Sequence, residues 1–269
     1  MTDEKERAYR YDLLIAPDWR ERFDTIIDKH FKLPTEGRIL DVNCGTGAEA
    51  IELAAAMRGR GEVIGVDTSH ERLELARAKA LVQNVDNVSF EVSLPYELRW
   101  DDDAFDAVIC DASMLPADEI EDTLAELLRV AAPDARVLLK IATHGSFDEF
   151  FSIYWEALHD AGLDAEVWTR LESLINERLT VSNAELMARR VGLRRVVSYT
   201  SREEFTFEAS SDFFVSPMIG DTFLADWLEI LPENKREEVC EKVAELIDRE
   251  RNDAPFEVSI KATVIAGVK

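Results

Sequence analysis

Ile39-Leu40-Asp41-Val42-Asn43-Cys44-Gly45-Thr46-Gly47 decides how this chain reads. An apolar run ends near an acid, a glycine-rich turn follows, and helical apolar spacing starts near Ala48, with Ile51, Ala54 and Ala55 on one side. That is a strand, a tight loop and a helix N-terminus. Its free N–H groups and dipole suit an anionic or nucleotide-like ligand.

The pattern around the loop continues it. Gly59 and Gly61 end the first helix, and residues 63–66 form a second strand closed by Asp67. Thr68 and Glu71 predict a capping box opening a helix through Leu81. Val88, Phe90 and Val92 read as a third strand, residues 107–110 as a fourth, 120–130 as a helix broken by Pro133-Asp134, and 137–141 as a fifth strand. Alternation of this kind predicts a parallel sheet with helices on both faces and right-handed connections. After Ile141 the rhythm changes. Ser146 with Glu149 predicts a second capping box before an aromatic helix, and Ser182 with Glu185 a third, its helix running to about Val191 with Gly192 as C-cap. Residues 196–207 are strand-like, and 212–251 helical with breaks at Gly220 and Pro232. Phe256, Val258, Ile260, Ala262 and Val264 alternate with Glu257, Ser259, Lys261 and Thr263, as an antiparallel or near-edge strand would.

With 269 residues, 46% of them hydrophobic, the chain can bury a sizeable core, and one domain is the simplest reading. Lys+Arg 31 against Asp+Glu 55 leaves a formal net charge of -24, a surface that repels phosphate backbones and argues against a nucleic-acid partner. Cys44, Cys110 and Cys240 are odd in number and widely spaced, neither a disulfide framework nor a metal pattern, which fits a reducing cytoplasm. No apolar run approaches the roughly 18–20 residues of a membrane span, and the first residues lack a signal-peptide core. The expectation is a cytoplasmic protein with no membrane partner, of unspecified oligomeric state.

Two ligand classes fit the strand–loop–helix. Gly45-Thr46-Gly47-Ala48-Glu49-Ala50 matches the dinucleotide pattern G-x-G-x-x-A loosely. Asp41-Val42-Asn43-Cys44-Gly45-Thr46-Gly47 matches D-x-G-x-G-x-G better, except that Asn43 stands at the first glycine. This second match resembles the first motif of class I S-adenosylmethionine-dependent methyltransferases. Val63-Ile64-Gly65-Val66-Asp67, Phe105-Asp106-Ala107-Val108-Ile109-Cys110-Asp111 and residues 136–141 resemble that family's second, fourth and fifth strands. The resemblance implies a Rossmann-like α/β fold. Its sheet would be seven-stranded and mostly parallel with an antiparallel last strand. It also implies an N-terminal helical lid (1–36), a cofactor core (37–145) and helical substrate-cover insertions (146–194 and 209–254), nearest in layout to small-molecule enzymes of the trans-aconitate and quinone-methylating type.

The site residues carry alternatives. Gly45 and Gly47 let backbone approach a ligand. Asp67 binds ribose hydroxyls or complements the next helix dipole, with Thr68 beside it. Asp41 binds the cofactor ammonium or orders the loop. Asn43 tolerates left-handed φ, and its side chain lies where the cofactor would pass. Cys44 borders the pocket or is buried filler. Ser93 and Leu94 stand where the family commonly places an adenine-binding acid. Tyr11, with Tyr9, belongs to the lid or to a packed N-terminal helix. Among acceptor-side candidates, His144 after the fifth strand is a base or a solvated loop residue, and Asp111 orients the acceptor or caps a helix. His30, His70 and His159 read as surface residues. Phe147, Tyr154, Trp155, Phe213, Phe214, Phe223 and Trp227 read mostly as core. The function implied is methyl transfer from S-adenosylmethionine to a small-molecule acceptor, governed by proximity and in-line orientation. A non-catalytic binding relative and an NAD-type oxidoreductase are the alternatives.

Overall fold

The computed structural model describes residues 3–250 and 254–269, so the first two residues of the expected lid and 251–253 of the expected last helix and cover lie outside it. In chain order the elements are α1 (Asp3–Arg10), a π-helical turn (Tyr11–Ile15), α2 (Ala16–His30), β1 (Gly37–Val42), α3 (Ala48–Met57), β2 (Gly61–Asp67) and α4 (His70–Gln83). There follow β3 (Val88–Val92), β4 (Phe105–Asp111), α5 (Ile120–Val130), β5 (Ala131–Thr143), α6 (Asp148–Asp160), α7 (Asp164–Asn176) and α8 (Val181–Arg190). The last are β6 (Arg194–Phe207), α9 (Ser210–Val215), a π-helical turn (Ile219–Phe223), α10 (Leu224–Glu229), α11 (Arg236–Glu250) and β7 (Phe256–Val268).

The seven strands form one sheet in the order β3-β2-β1-β4-β5-β7-β6. β1 pairs in parallel with β2 on one side and β4 on the other, placing Asp41 opposite both Gly65 and Ile109. Ile39, Leu40, Asp41 and Val42 are all inaccessible to solvent, because a parallel strand is covered on both faces and therefore reads as a continuous apolar run. The order reverses between β1 and β4. At such a switch point, loops leaving the carboxyl ends of neighbouring strands turn opposite ways and open a crevice.

β7 runs antiparallel to β5. The Lys269 N–H donates to the Ala135 carbonyl at 3.1 Å at one end, and the Thr143 hydroxyl to the Lys261 carbonyl at 3.2 Å at the other. β6 in turn runs antiparallel to β7, with Thr200 and Thr263 hydroxyls 2.9 Å apart and Leu193 against Gly267. The edge is therefore β6, and β7 is interior. Ser259 and Thr263, expected on a polar face, are buried.

The chain divides into two compact units. The first holds the elements up to Ala142, with Thr180–Ser201 and Ala262–Lys269. The second is Thr143–Leu179 with Arg202–Lys261. Thus α8, within the stretch expected as cover, belongs to the first unit, where Arg190 pairs with Glu121 of α5. The second unit has an aromatic core: Phe150 stacks on Trp227 at 4.3 Å, and the Tyr154 hydroxyl donates to the Trp227 carbonyl at 2.9 Å. Trp155 departs from the core reading, being 43% exposed and stacked on His159. None of the described helices is long and apolar enough to cross a membrane.

The three capping boxes are each displaced. Ser69, not Thr68, caps α4, accepting from the Arg72 N–H, because the Asp67 carboxylate takes the Ser69 N–H and fixes the entry. Phe147 precedes α6 without a side-chain cap. Ser146 donates to the Thr143 carbonyl, while the Glu149 carboxylate accepts from the Ser259 N–H and hydroxyl. Thr180 caps α8, accepting from the Asn183 N–H. The helix α7 has no side-chain cap, which is why no start signal marked it in the sequence.

Candidate functional site

The loop after β1 alternates its handedness. Asn43, Gly45 and Gly47 have φ of 56°, 59° and 76°. Left-handed residues at alternate positions turn successive N–H groups inward, making a concavity that favours oxyanions. Glycine is required twice over. A Cβ on Gly45 would lie 2.8 Å from Arg20 Nη1 and 2.9 Å from Tyr11, and one on Gly47 2.7 Å from Ala76 and the Phe90 ring. Asn43 survives at its position because its side chain supplies a tether: Nδ2 donates to the Asp111 carbonyl at 2.9 Å, joining the loop to the end of β4. Arg20 Nη1 donates to the Asn43 carbonyl at 3.0 Å from the other side. Asn43→Gly removes the tether but also the cost of a left-handed side chain. We expect a loss of about 1 kcal/mol or less by denaturant melts. A loss beyond about 3 kcal/mol would mean that the tether holds much more than the loop.

Asp67, at the end of β2, is buried. One carboxylate oxygen accepts from the Gly45 N–H and the other from the Ser69 N–H, each at 2.9 Å. Each oxygen keeps a lone pair for a hydroxyl of a ligand. Tyr11, Asn43, Asp67, Thr68, Arg72, Asp111, Met114 and Leu115 line a cleft of about 270 Å³ at the switch point. Thr68 is freed for the cleft by the cap's shift to Ser69. Tyr11 enters from the π-helical turn, buried, with the Arg72 guanidinium 3.9 Å over its ring. The turn is fastened to the loop by Asp12, which accepts from Thr46 and pairs with Lys79 at 2.6 Å. Tyr9 is exposed.

The remaining expected residues lie elsewhere. The Cys44 thiol is buried under the loop toward Gly65, and burial pushes its pKa up. The Ser93 hydroxyl donates to the Leu94 and Glu97 carbonyls and closes its own turn, while the Leu94 side chain is 40% exposed. Asp111 caps the turn after β4, not a helix, accepting the Ser113 N–H at 3.0 Å. Its second oxygen is 3.6 Å from Arg20 Nε. His144 belongs to the second unit, half-buried, with its N–H donating to the Leu179 carbonyl at 2.9 Å. His30, His70 and His159 are exposed.

A buried charge network beneath the loop escaped the sequence reading. Lys140 of β5, fully inaccessible, pairs with Glu49 of α3 at 2.5 Å and with Asp24 of α2. Buried Arg20 lies 3.9 Å from Glu49 and near Asp111. Asp41 sits among these groups with no hydrogen-bond partner for either carboxylate oxygen. Four carboxylates thus face two cations, and a buried surplus of negative charge is costly unless a cation or protons offset it. Burial pushes Asp41 up to about 6 against the pull of Arg20 and Lys140, and Glu49 up to about 8 against that of Lys140. Both groups bind a proton more readily folded than unfolded. Their contribution to stability is full below about pH 4 and is lost as pH rises through the folded values. We expect the melting temperature to fall between about pH 4 and 8, and Glu49→Gln to flatten the part of that fall above about pH 6. An unaltered profile in the variant would contradict this assignment. Two signals pointed to the network: a lone lysine in Leu138-Leu139-Lys140-Ile141, and Arg20 on the apolar face of α2 with Trp19, Phe23 and Ile27.

Residues 34–172 match a family model described as "Methyltransferase domain". The chain is 32% identical over 143 residues to a demethylmenaquinone methyltransferase of Symbiobacterium thermophilum, a match covering 51% of this chain and 55% of the relative. It is also 31% identical over 140 residues to a ubiquinone/menaquinone biosynthesis C-methyltransferase of Geotalea daltonii, covering 49% and 58%. The chain thus spans little more than half the length of the curated relatives it matches. Among solved structures, YcgJ of Bacillus subtilis superposes with a TM-score of 0.57 at 22% identity, covering 93% of this chain and 98% of that one. Phosphoethanolamine N-methyltransferase 2 of Haemonchus contortus, in complex with S-adenosyl-L-methionine, gives 0.56 at 16%, covering 98% and 57%. These likenesses carry the fold. The family model covers more than half of the chain, including β1, its loop and the four parallel strands beyond it, and on that match the protein belongs to the methyltransferase-domain family.

Proposed function

We propose that the protein binds S-adenosylmethionine in the cleft beside the β1 loop and transfers its methyl group to a small-molecule acceptor. The observation that carries this is Asp41: a buried carboxylate with neither oxygen hydrogen-bonded, below a left-handed glycine loop, in a network with surplus negative charge. That donor set suits a ligand bearing positive charge, which a nicotinamide dinucleotide with its pyrophosphate offers poorly. The family membership supports the same choice over an oxidoreductase.

When bound, the cofactor supplies an electrophilic methyl group on a sulfonium. The chain's residues bind and orient it. The loop N–H groups following Asn43 suit the methionine carboxylate, Asp41 the ammonium, and Asp67 the ribose hydroxyls through its remaining lone pairs. Tyr11 and Arg72 restrict water at the cleft, and Asp111 is a carboxylate for orienting an acceptor. Such positioning supplies most of the acceleration a methyl transfer needs, since effective molarities reach about 10⁵–10⁸ M. His144 is the candidate base for an acceptor that must lose a proton. The surface charge argues against nucleic acid as that acceptor. Incubating the protein with methyl-labelled cofactor and a panel of small acceptors should transfer label to at least one. Tight cofactor binding without transfer to any acceptor would favour the non-catalytic reading.

A further inference from the structure

The buried cluster beneath the β1 loop, all of it in the first unit, divides into groups whose charge is held and groups whose charge is not. Lys140 and Arg20 are its cations. Burial alone would lower the pKa of each, but Glu49 and Asp24 outweigh it at Lys140, and Tyr11, Asp111 and Asp41 at Arg20, so both stay charged. Two carboxylates balance them. Asp24 pairs with Lys140 and keeps 32% of its side chain exposed. Asp111 accepts from the N–H and the hydroxyl of Ser113 and lies 3.6 Å from Arg20 Nε. Each has what a carboxylate needs to hold its charge, water for one and donors for the other.

Asp41 and Glu49 are the surplus. Asp41 has no donor on either oxygen, and buried Glu49 has Lys140 Nζ at 2.5 Å, a cation it shares with Asp24. With both ionised, the dry interior carries two uncompensated negative charges; with both protonated it carries none. The groups facing Asp41 are Arg20 and Asp24 of α2, Lys140 of β5 and Asp111 of β4; those facing Glu49 are Lys140, Asp24, Asp41 and Arg20. Around them burial keeps Tyr11, Cys44 and Cys110 protonated, and Glu52 of α3 is raised by burial and by Asp24 and Asp28. Burial accordingly keeps protons on the Asp41–Glu49 pair up to about 6 and about 8. The cluster reaches the cleft, because Asp111 lines it and Arg20 holds the carbonyl of Asn43, which lines it too.

We propose, resting on the methyl-transfer reading above, that the Asp41–Glu49 pair stores a proton in the ligand-free protein and releases it to solvent when the cofactor's ammonium arrives beside Asp41. Charge balances in the exchange: one proton leaves a carboxyl oxygen, one ammonium takes its place, and the interior gains no net charge. Cofactor affinity is thereby tied to pH by the protein itself. Asp41 gives up its proton over the lower part of the range and Glu49 over the upper. Glu49 is a positioning residue, acting through the field it adds behind Asp41.

The test titrates two ligands into the full chain by calorimetry, in pairs of buffers that differ in ionisation enthalpy, so that released protons are counted. One is S-adenosylhomocysteine; the other is 5′-methylthioadenosine, which shares its nucleoside but carries no ammonium. Working from about pH 5.5 to 7.5 stays below the α-amino range of about 7.7–8.0, so the ligand keeps its charge. Wild-type affinity for S-adenosylhomocysteine should rise about fivefold between about pH 6 and 7.5, with about half a proton released per ligand. Affinity for 5′-methylthioadenosine should change by less than about twofold over that range. Glu49→Gln should match the wild type near pH 6, change by less than about twofold above it, and so bind S-adenosylhomocysteine about fivefold more weakly at about pH 7.5. A merely structural Glu49 would instead weaken binding equally at every pH and leave the slope unchanged. Three results would overturn the proposal: pH-independent binding of S-adenosylhomocysteine without proton release, an equal rise with 5′-methylthioadenosine, or a wild-type slope in Glu49→Gln. The wild-type comparison of the two ligands stands without the variant. Absence of S-adenosylhomocysteine binding at every pH would remove the cofactor site and this inference with it, whereas pH-independent binding removes this inference alone.

Discussion

Replacing Asp67 with alanine is expected to weaken S-adenosylhomocysteine binding by about 100-fold or more. Each hydrogen bond to a charged group contributes about 1.5–3 kcal/mol, and two ribose contacts would be lost. The carboxylate also organises the loop, since its two oxygens hold the Gly45 and Ser69 N–H groups. The variant should therefore lose roughly 1–3 kcal/mol of stability from orphaned buried donors. Asp67→Asn keeps one acceptor oxygen and should fall between wild type and alanine in both measurements. Calorimetric titration reads the affinity, and denaturant melts read the stability. Binding within a few-fold of wild type in Asp67→Ala would remove Asp67 from the site, leaving only its role as loop anchor.

The second large effect concerns Lys140. Lys140→Met conserves volume but leaves Asp24 and Glu49 without their main cation and Asp41 with Arg20 alone. Breaking a buried ion pair from one side costs about 3–5 kcal/mol. Glu49 can take up a proton in response, so we expect the lower end, about 3 kcal/mol, or roughly 6–12 °C in melting temperature. The double variant Lys140→Met with Glu49→Gln should recover much of the loss, because removing both charges leaves far less to compensate. A single variant as stable as wild type, or a double variant no better than the single, would contradict the network's electrostatic balance.

Much of this architecture is local and was readable. Ile39-Leu40-Asp41-Val42 looks like a buried parallel strand because both its faces are covered, and the acids closing β2 and β4 sit at strand ends, where pattern and turn agree. The start of α4 was misplaced by one residue, since Ser69 and not Thr68 accepts from the Arg72 N–H. Asp67 takes the Ser69 N–H, and the cap moves on by one residue. The interior place of β7 was hidden because strand order is set by pairing, and an alternating pattern does not reveal what covers its polar face. Most of the charge network was illegible for a different reason. Lys140 meets Glu49 and Asp24 across 91 and 116 residues of sequence, and no local rule pairs residues so far apart. The same holds for Asn43. Its tolerance of left-handed φ could be read from its type, but its tether to the Asp111 carbonyl depends on β1 and β4 being neighbours.

The cleft beside the β1 loop as a site for S-adenosylmethionine is the claim on which the functional reading depends. It is tested most directly by titrating S-adenosylhomocysteine and NAD, separately, into the wild-type protein in a calorimeter. The prediction is saturable binding of S-adenosylhomocysteine at one site per chain and no comparable heat with NAD. Binding of NAD in preference, or no binding of S-adenosylhomocysteine at millimolar concentration, would contradict it.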